Sequence, residues 1–278
     1  MRFLSDDAIA HLREVAELPD AGDRYRVIRE LGRGGMGVVY EVHDAELDRS
    51  VAMKVIADPH SEARTIARLE HPGIVPVHDA GRLPDGRLFY TMKLVRGTRL
   101  DAFARESHPR TELLRIFTRV CDAVAFAHAN GVVHRDLKPE NVMVGEFGAV
   151  LVMDWGTTAI AGTPGYMAPE QQRGSEADAR TDVHALGAML SFLLRGEKDR
   201  RLNAIASKAT ATNPADRYAN AQELGADVTR FLDGEPVTAY RENVFEQLGR
   251  LAVRYQMLIA LIAAYLLMRA IVFFWFRL

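Results

Sequence analysis

The chain reads His134-Arg135-Asp136-Leu137-Lys138-Pro139-Glu140-Asn141 near its centre, between the apolar runs 132–133 and 142–144. This stretch places an acid, a base and an amide side chain at fixed offsets on a short loop. The alternative is a solvated turn without a function. A run of polar residues this dense, enclosed by two apolar segments, is not typical of such a turn. The stretch 134–141 is therefore predicted to be the centre of a functional site.

Glycines cluster on the N-terminal side of this centre, within Gly32-Arg33-Gly34-Gly35-Met36-Gly37. A similar spacing occurs in dinucleotide-binding folds, where a helix follows the last glycine. Here the β-branched and aromatic run 38–42 follows instead, so the glycines are predicted to lie in a hairpin between two strands. A glycine hairpin can bring its backbone N–H groups close to phosphates, because no Cβ stands in the way.

A lysine and a short helix are predicted after the hairpin. Lys54 ends the apolar strand 51–53, where its charge can reach a cleft and pair with phosphates, although an edge lysine is otherwise a solvated charge. Residues 61–70 predict one helix. Two further strands are predicted at 74–77 and 88–92, separated by the turn Pro84-Asp85-Gly86.

The C-terminal side of the centre carries further signals. A long helix is predicted over 111–130 and ends at Asn130-Gly131, which is typical of a helix C-cap. The apolar strand 149–153 leads into Asp154-Trp155-Gly156, and residues 162–170 read GTPGYMAPE.

Six motifs in this order resemble those of bacterial-type (Hanks-type) protein serine/threonine kinases, over roughly residues 24–240. The resemblance implies an α+β, two-lobed protein kinase fold with a strand-rich N-lobe and a helical C-lobe. It also implies transfer of the γ-phosphoryl group of ATP to Ser/Thr hydroxyls of proteins. The implied metal in the cleft is Mg²⁺, with Mn²⁺ as an alternative.

The resemblance assigns roles to the polar residues of the cleft. Asp136 accepts the proton of the attacking hydroxyl, and Lys138, at the position typical of serine/threonine kinases, neutralises the transferred group. Lys54 pairs with the phosphates and is held by Glu62. Asn141 and Asp154 hold the metal.

The resemblance also places the nucleotide. Met92 is the gatekeeper beside the adenine, and the backbones of Lys93 and Val95 face its edge. The predicted nucleotide-binding residues are Gly32, Gly34, Gly35, Gly37, Val39, Ala52, Lys54, Met92, Lys93 and Val95.

Thr163 stands where serine/threonine kinases place a threonine, which is expected to bond both the catalytic aspartate and the catalytic lysine. Four other matched residues are predicted to be architectural. Glu170 is expected to form a buried bridge to Arg217. Asp182 and Gly187 are expected on the central helix that supports the catalytic loop.

The sequence departs from the family pattern at several places. Tryptophan replaces phenylalanine at 155, only residues 157–161 separate Gly156 from Gly162, and the stretch 196–216 is too short for the usual substrate-docking helix and loops. The tryptophan keeps a large aromatic side chain at this position. The short segment 157–161 and the short stretch 196–216 favour an alternative, a membrane-tethered pseudokinase that binds nucleotide and acts as a scaffold. The intact set Lys54, Asp136, Asn141 and Asp154 opposes that alternative.

Composition sets broad limits. The chain has 278 residues, of which 48% are hydrophobic and 26% charged, with a formal net charge of −2. These values are typical of a globular protein and favour no nucleic-acid partner. The single cysteine, Cys121, excludes an intrachain disulfide and lies in a helical apolar pattern, so it is predicted to pack in the core.

The last apolar segment, 257–276, carries one charge, Arg269. At about 1.5 Å per residue it reaches roughly 30 Å, the thickness of a bilayer core. An arginine in the span costs about 2.5–3.5 kcal/mol, which the apolar neighbours outweigh. The alternative is a hydrophobic helix outside the membrane. Arg250 and Arg254 flank the segment, which predicts a single-pass cell-membrane protein with its kinase domain on the cytoplasmic side.

The resulting domain prediction leaves a homodimer open and divides the chain into five parts. These are an N-terminal amphipathic helix and linker (1–22), a kinase N-lobe (23–95), a kinase C-lobe (96–240), a juxtamembrane helix (241–256) and a transmembrane helix (257–276).

Overall fold

A computed structural model describes residues 18–34, 37–56, 62–155, 162–196, 198–244, 246–249 and 255–275. Several predictions lie outside these ranges: the N-terminal helix over 1–17, the phosphate contact of Gly35, the short segment 157–161, and the flanking residues Arg250 and Arg254.

A five-stranded antiparallel sheet forms the first lobe. Its strands are β1 (Tyr25–Gly34), β2 (Gly37–Asp44), β3 (Arg49–Ile56), β4 (Val77–Arg82) and β5 (Leu88–Lys93). Their order across the sheet is β1-β2-β3-β5-β4. The sheet therefore places β3 at its centre, between the glycine hairpin on one side and β5 on the other.

The glycine hairpin is confirmed as the connection between β1 and β2. Gly34 pairs with Gly37 at its tip. Gly37 has a φ of +133°, and a Cβ at this position would overlap the carbonyl oxygen of Val55 on β3. Only glycine fits there, because a side chain would push the hairpin away from the sheet.

The side chains of successive β3 residues point to opposite faces of the sheet. Val51, Met53 and Val55 pack in a small cluster with Tyr40 and Phe89. Because side chains alternate along a strand, Ala52, Lys54 and Ile56 face the opposite side. Ala52 and Ile56 belong to the main core, which continues into the second lobe.

Helix α1 (Glu62–Ala67) is shorter than the predicted helix 61–70. The N–H groups of Arg68 and Leu69 donate to the carbonyls of Thr65 and Ile66, three residues earlier, at 3.3 and 2.8 Å. These tighter bonds end the helix. The turn places Leu69 in the core with 3% of its surface exposed, so packing overrides the helical sequence pattern.

The strand predicted at 74–77 was placed too early, since β4 begins only at Val77. Ile74 makes an isolated bridge to Val152, and Val75 donates to the carbonyl of the same residue at 3.4 Å. Pro76 has no N–H to donate to a strand ladder. The turn predicted at 84–86 is confirmed, with the N–H of Gly86 donating to the carbonyl of Leu83 at 2.9 Å.

The second lobe is mainly helical. It contains a small antiparallel sheet of β6 (Gly97–Arg99), β7 (Val142–Gly145) and β8 (Val150–Val152). Its helices are α2 (Leu100–Phe103), α3 (Arg110–Ala129), α4 (Pro169–Gln172), α5 (Ala179–Leu193), α6 (Arg200–Ala209) and α7 (Ala221–Leu232). The predicted long helix is α3, and Gly131 follows it with a φ of +73°.

Helices α3 and α7 pack closely through two small residues. Cys121 on α3 is fully buried, and a Cβ at Gly225 on α7 would lie 2.9 Å from the Cβ of Cys121. Burial raises the pKa of the Cys121 thiol well above its usual value. The prediction that this cysteine packs in the core is confirmed.

The predicted bridge between Glu170 and Arg217 is also confirmed. Arg217 donates Nη1 and Nη2 to the two carboxylate oxygens at 2.6 and 2.8 Å, and both residues are buried. Its remaining N–H groups bond backbone carbonyls, among them those of Arg180 and Ala211. Burial alone would raise the pKa of Glu170, but the hydrogen bonds from Arg217 lower it.

A buried carboxylate attaches residues beyond α7 to the lobe. Asp227 is fully buried and accepts bonds from the hydroxyl of Tyr218 at 2.8 Å, from N and Oγ1 of Thr238 at 2.6 and 2.8 Å, and from the N–H of Ala239 at 3.0 Å. Although burial opposes ionisation, these bonds lower the pKa of Asp227. The chain therefore stays folded onto α7 up to residue 239.

We expect Asp227→Asn to lower the free energy of unfolding by about 1–3 kcal/mol, because an amide cannot accept from all these donors and leaves at least one buried donor unpaired. Urea unfolding measures the change. The matched control is Asp233→Asn, which removes the same charge at the exposed end of the same helix. Equal effects of the two variants would contradict the anchoring role of Asp227.

The last described helix is α8 (Gln256–Trp275), which carries exposed large apolar side chains such as Met257, Leu261 and Trp275. Among the described residues, no helix meets the length and hydropathy required of a membrane span. Phe276 and the side chains of Leu258, Phe273 and Phe274 lie outside the description. Between the lobe and α8, positions 244 and 246–249 are helical.

Candidate active site

Asp182, near the start of α5, fixes the backbone of the central loop. Its Oδ2 accepts the N–H of His134 at 2.7 Å, and its Oδ1 accepts the N–H of Arg135 at 2.9 Å. All of its side chain is buried. The predicted supporting role of Asp182 is confirmed. Gly187, further along α5, is also architectural, because a Cβ there would lie 2.6 Å from the Cβ of Ala209 on α6.

The Asp136 carboxylate lies at the centre of a dense set of bonds. Its Oδ1 accepts the N–H and the hydroxyl of Thr163 at 3.1 and 3.0 Å. Its Oδ2 accepts Nζ of Lys138 at 2.8 Å, and the same Nζ donates to Oγ1 of Thr163 at 2.7 Å. The prediction that Thr163 bonds both Asp136 and Lys138 is confirmed. Oδ2 has a second contact, to Nδ2 of Asn141, which is 3.5 Å long.

Asn141 ends a 3-10 turn, Pro139–Asn141, beside this carboxylate. Its Nδ2 donates to the carbonyl of Asp136 at 2.8 Å. Since the amide nitrogen is directed to Asp136, the amide oxygen Oδ1 is the atom that remains for a ligand. Asn141 and Asp154 supply oxygen atoms only, which suits a hard divalent cation that keeps part of its water shell.

Asp154 follows β8 in a left-handed conformation, with a φ of +57°. Arg135 has a φ of +72°. Non-glycine residues rarely adopt this region, and such positions cluster at functional sites, where the surrounding structure holds them. Next to Asp154, Trp155 is fully buried and donates Nε1 to the carbonyl of Val152 at 3.0 Å. It fills the space beside the ring of His134.

Lys54 crosses from the first lobe to the second. Its Nζ lies 3.1 Å from Oδ1 of Asp154. The lysine side chain is 4% exposed and the aspartate side chain 39% exposed, so the pair lines a cleft that solvent reaches from one side. Glu62, predicted to hold Lys54, begins α1, but its side chain lies outside the described part of the chain.

Four of the predicted nucleotide-binding residues share one face of the sheet. Val39 is directly opposite Lys54 across β2 and β3, and Ala52 is directly opposite Met92 across β3 and β5. Opposite residues on neighbouring strands point to the same side, and Ala52 and Lys54 do so because they are two positions apart. Val39, Ala52 and Met92 pack with the main core. This face of the sheet is therefore an apolar surface that also carries Lys54, next to Val39.

The outer parts of the predicted nucleotide site are the hairpin and the hinge. A Cβ at Gly32 or Gly34 would meet nothing within 4 Å, so open space lies beside the hairpin backbone. At the hinge, the N–H of Lys93 already donates to the carbonyl of Pro76 at 3.1 Å. Lys93 can therefore offer a ligand only its carbonyl. Val95 lies between β5 and β6 and is half-buried.

Gln171 on α4 has a role that sequence reasoning missed. Its Nε2 donates to the carbonyl of Arg135 at 2.8 Å, and the residue is buried. The polar residue beside Glu170 gave no local signal, because its partner is 36 positions away in the chain. Gln171 thus connects the loop at 162–170 to the loop at 134–141.

His184 on α5 contacts the backbone of the loop at 162–170. Its Nδ1 lies 3.4 Å from the carbonyl of Tyr166, so Nδ1 carries the proton that it donates. Burial lowers the pKa of His184, and the nearby charge of Arg217 lowers it further. Burial also raises the pKa of Tyr166, and the charge of Glu140 adds to this effect.

We expect His184 to make stability depend on pH. The unfolded chain takes up this proton near pH 6.5, whereas the folded chain takes it up only at a lower pH. The folded state therefore keeps its full stability, as far as His184 is concerned, above pH 6.5. It loses stability as the pH falls below 6.5, because the unfolded chain then binds the proton more readily. Urea unfolding from pH 7.5 to pH 5 should show a shallower decline for His184→Gln than for the wild type. A residual decline is expected from His78, whose pKa is also lowered by burial. Identical slopes for variant and wild type would refute this assignment.

The strand-rich lobe, the helical lobe and the cleft between Lys54 and the Asp136 loop define the protein kinase fold. The protein kinase domain family matches residues 25–232. The chain belongs to this family.

Individual relatives support the same assignment. The chain is 33% identical to the serine/threonine-protein kinase PknD of Chlamydia trachomatis, over 77% of this chain and 32% of that protein. It is 35% identical to the serine/threonine-protein kinase PknB of Mycobacterium tuberculosis, over 78% of this chain and 44% of that protein. It therefore spans less than half the length of these curated relatives.

A solved structure is similar over nearly its whole length. The crystal structure of the Mycobacterium tuberculosis PknI kinase domain superposes with a TM-score of 0.62 at 30% identity, covering 77% of this chain and 98% of that domain. The shared region is therefore the kinase domain itself.

Proposed function

We propose that this chain is a serine/threonine protein kinase that transfers the γ-phosphoryl group of ATP to hydroxyls of protein substrates. The observation that carries the proposal is the bonding of Asp136, Lys138 and Thr163, which presents one carboxylate oxygen and one ammonium group at the mouth of a cleft lined by Lys54 and Asp154. Family membership and the names of the relatives support the same activity.

Binding and positioning of the nucleotide fall to the first lobe. The apolar face of Val39, Ala52 and Met92 accepts a flat base, and the carbonyl of Lys93 offers an acceptor at its edge. The backbone of the glycine hairpin covers the phosphates. Lys54 is already paired with Asp154 across the cleft, so it brings one positive charge to the phosphates without moving far.

Oδ1 of Asn141 and the carboxylate of Asp154 would hold Mg²⁺, with Mn²⁺ as an alternative. When bound there, the metal would supply positive charge beside the phosphate oxygens. Asn141 is held for this purpose by its bond to the carbonyl of Asp136. Asp154 is held by its left-handed backbone beside the buried Trp155.

Asp136 receives the substrate hydroxyl. Its Oδ2 accepts the hydroxyl proton, while Thr163 keeps Oδ1 in place through two bonds. Lys138 lies 2.8 Å from Oδ2 and carries the positive charge that compensates the transferred group. The residues thus orient the hydroxyl and stabilise charge, which is most of what this reaction requires of a protein.

Transfer of labelled phosphate from ATP to a generic basic protein tests the proposal. We expect transfer by the wild type and a loss of nearly all transfer in Asp136→Asn, whose amide keeps the shape but cannot accept the proton. A wild type as inactive as Asp136→Asn, while still binding ATP, would identify a nucleotide-binding pseudokinase instead.

We further propose that the segment 257–276 anchors the chain in the cell membrane, with the kinase domain on the cytoplasmic side. Support comes from the continuous apolar sequence and from the exposed side chains of α8, such as Ile259, Leu267 and Ile271, which no other described element covers. An exposed apolar surface of this length is costly in water.

Fractionation tests the membrane proposal. The full chain should sediment with membranes and resist carbonate extraction, whereas a chain ending at Gln256 should be released into the soluble fraction. A full chain that is soluble without detergent would show that 257–276 packs against protein instead.

A further inference from the structure

One charged side chain interrupts the apolar surface of α8. Arg269 is the single charged residue in the sequence of this helix, and it is exposed. Exposed apolar side chains lie on the other sides of the helix, among them Leu261, Leu266 and Ile271. A helix that is apolar all round is typical of a membrane span. Within the proposed span 257–276, Arg269 is therefore a charge inside the apolar layer.

The position of Arg269 along the span keeps its guanidinium away from both water layers. At about 1.5 Å per residue, it lies roughly 18 Å from the start of the span and roughly 10 Å from its end. The Cα–Cβ bonds of a helix tilt toward its N-terminus, so the side chain is directed along the longer of these two paths. To reach the nearer layer it would have to bend back against this tilt. Lipid headgroups and water therefore satisfy this charge poorly.

The chain offers Arg269 no counter-ion within the span. Residues 247–278 contain no Asp or Glu. No ion pair or hydrogen bond joins the Arg269 side chain to another of the residues that the structure describes. Arginine keeps its charge in proteins, so this positive charge cannot be removed by loss of a proton. Ionised residues inside membrane spans are paired as a rule and mark functional contacts.

A carboxylate on a neighbouring membrane-spanning helix is the group that fits this position. A guanidinium and a carboxylate form two parallel hydrogen bonds, and the pair carries no net charge. A second copy of this chain does not fit, because a parallel pair in contact along this face would bring two Arg269 side chains together at the same depth. Two like charges in the apolar layer repel each other.

Three exposed side chains share a face of α8 with Arg269. Ile262, Tyr265 and Val272 lie seven and four residues before it and three residues after it, which places all of them on the same side of the helix. Alternating spacings of three and four residues are those at which two helices pack side by side. These four residues are called the Arg269 face below.

We propose that the Arg269 face binds a membrane-spanning helix of another protein, through an Asp or Glu of that helix at the depth of Arg269. The inference rests on the proposed membrane anchor and adds the kind of partner to it. The partner's carboxylate would lie roughly 10 Å from the end of the span that faces away from the kinase domain. The ion pair selects the partner, and Ile262, Tyr265 and Val272 contact the rest of its helix.

Synthetic helices in phosphatidylcholine vesicles test the proposal. The probes are Leu/Ala helices of one bilayer length with Glu, Gln or Leu at the depth of Arg269, and a fourth helix has its Glu at the end, in the water layer. Each probe carries a fluorescent acceptor. The full chain carries the donor on Gln256→Cys, since the natural thiol, Cys121, is buried. Energy transfer then measures the association of each probe with α8.

The helix with Glu at the depth of Arg269 should associate with the wild type at least tenfold more tightly than the Leu helix, and the Gln helix should fall between them. The helix with a terminal Glu should bind no better than the Leu helix. Arg269→Leu should bind all four probes equally. The matched control is Arg277→Leu, which removes another arginine close to the same end of the segment and should bind like the wild type.

The inference would be overturned by equal binding of the Glu and Leu helices to the wild type, or by a preference for Glu that persists in Arg269→Leu. Equal binding of the two Glu helices would also overturn it, because surface charge would then explain the association. Flotation with the vesicles separates this inference from the membrane proposal. A full chain that does not float overturns both, whereas one that floats without distinguishing the probes overturns this inference alone.

Discussion

Lys54→Met and Asp154→Asn are each expected to abolish nearly all phosphate transfer. Each removes one charge of a pair whose atoms lie 3.1 Å apart across the cleft. Lys54 lies on β3, and Asp154 lies two residues after the end of β8. The reaction depends on positioning and on charge stabilisation, and removing one such contribution commonly costs a factor of about 10² to 10³ in kcat. Removal of the metal by a chelator should have an effect at least as large.

Single-turnover transfer and nucleotide binding should be measured together for these variants. Thr91→Val is a suitable control, because Thr91 is buried on β5 and lies outside the proposed site. The control should retain transfer. If Lys54→Met and Asp154→Asn both have the transfer rate of the wild type, and all three proteins bind ATP, the cleft has no catalytic role. That result would favour the scaffold function.

Arg217→Met is expected to cause the largest loss of stability, about 3–5 kcal/mol, because it leaves the Glu170 carboxylate buried without its partner. Both residues are buried, and the guanidinium also bonds backbone carbonyls around it. Chemical unfolding measures the loss. The double variant Arg217→Met/Glu170→Met should recover part of it, since no uncompensated charge remains.

Arg173→Met is the control for this prediction. Arg173 follows α4 and is exposed, so its loss should change the free energy of unfolding by less than about 0.5 kcal/mol. The wild type should also lose stability as the pH falls, because the lowered pKa of Glu170 means that the unfolded chain binds this proton first. A double variant less stable than Arg217→Met alone would contradict the buried-charge explanation.

The candidate site could be predicted to a large extent because its residues lie in short motifs. The spacing of Asp136, Lys138 and Asn141 on one loop already limits how far apart their side chains can lie. The β-branched run after Gly37 excluded a helix, and the structure has a strand there. The turn at Pro84-Asp85-Gly86 also depends on neighbouring residues alone.

Element boundaries were predicted less well, because packing decides where an element ends. The helical pattern continues to residue 70, but α1 ends at Ala67 so that Leu69 can enter the core. Ile74 and Val75 look like strand residues, yet they contact Val152 of the second lobe instead of joining the sheet.

The sequence by itself determined the family, the order of the motifs and the residues that can carry the chemistry, because each depends on residue type at short range. Only the tertiary structure decided which distant groups meet. Lys54 pairs with Asp154, 100 positions along the chain, His128 meets Asp182, and Asp227 binds Thr238. Asp182 and Asp227 are buried, so their carboxylates cannot be left unpaired, and only the packing of α3, α5 and α7 brings their partners within reach. The meeting of the two lobes does the same for the buried ammonium group of Lys54.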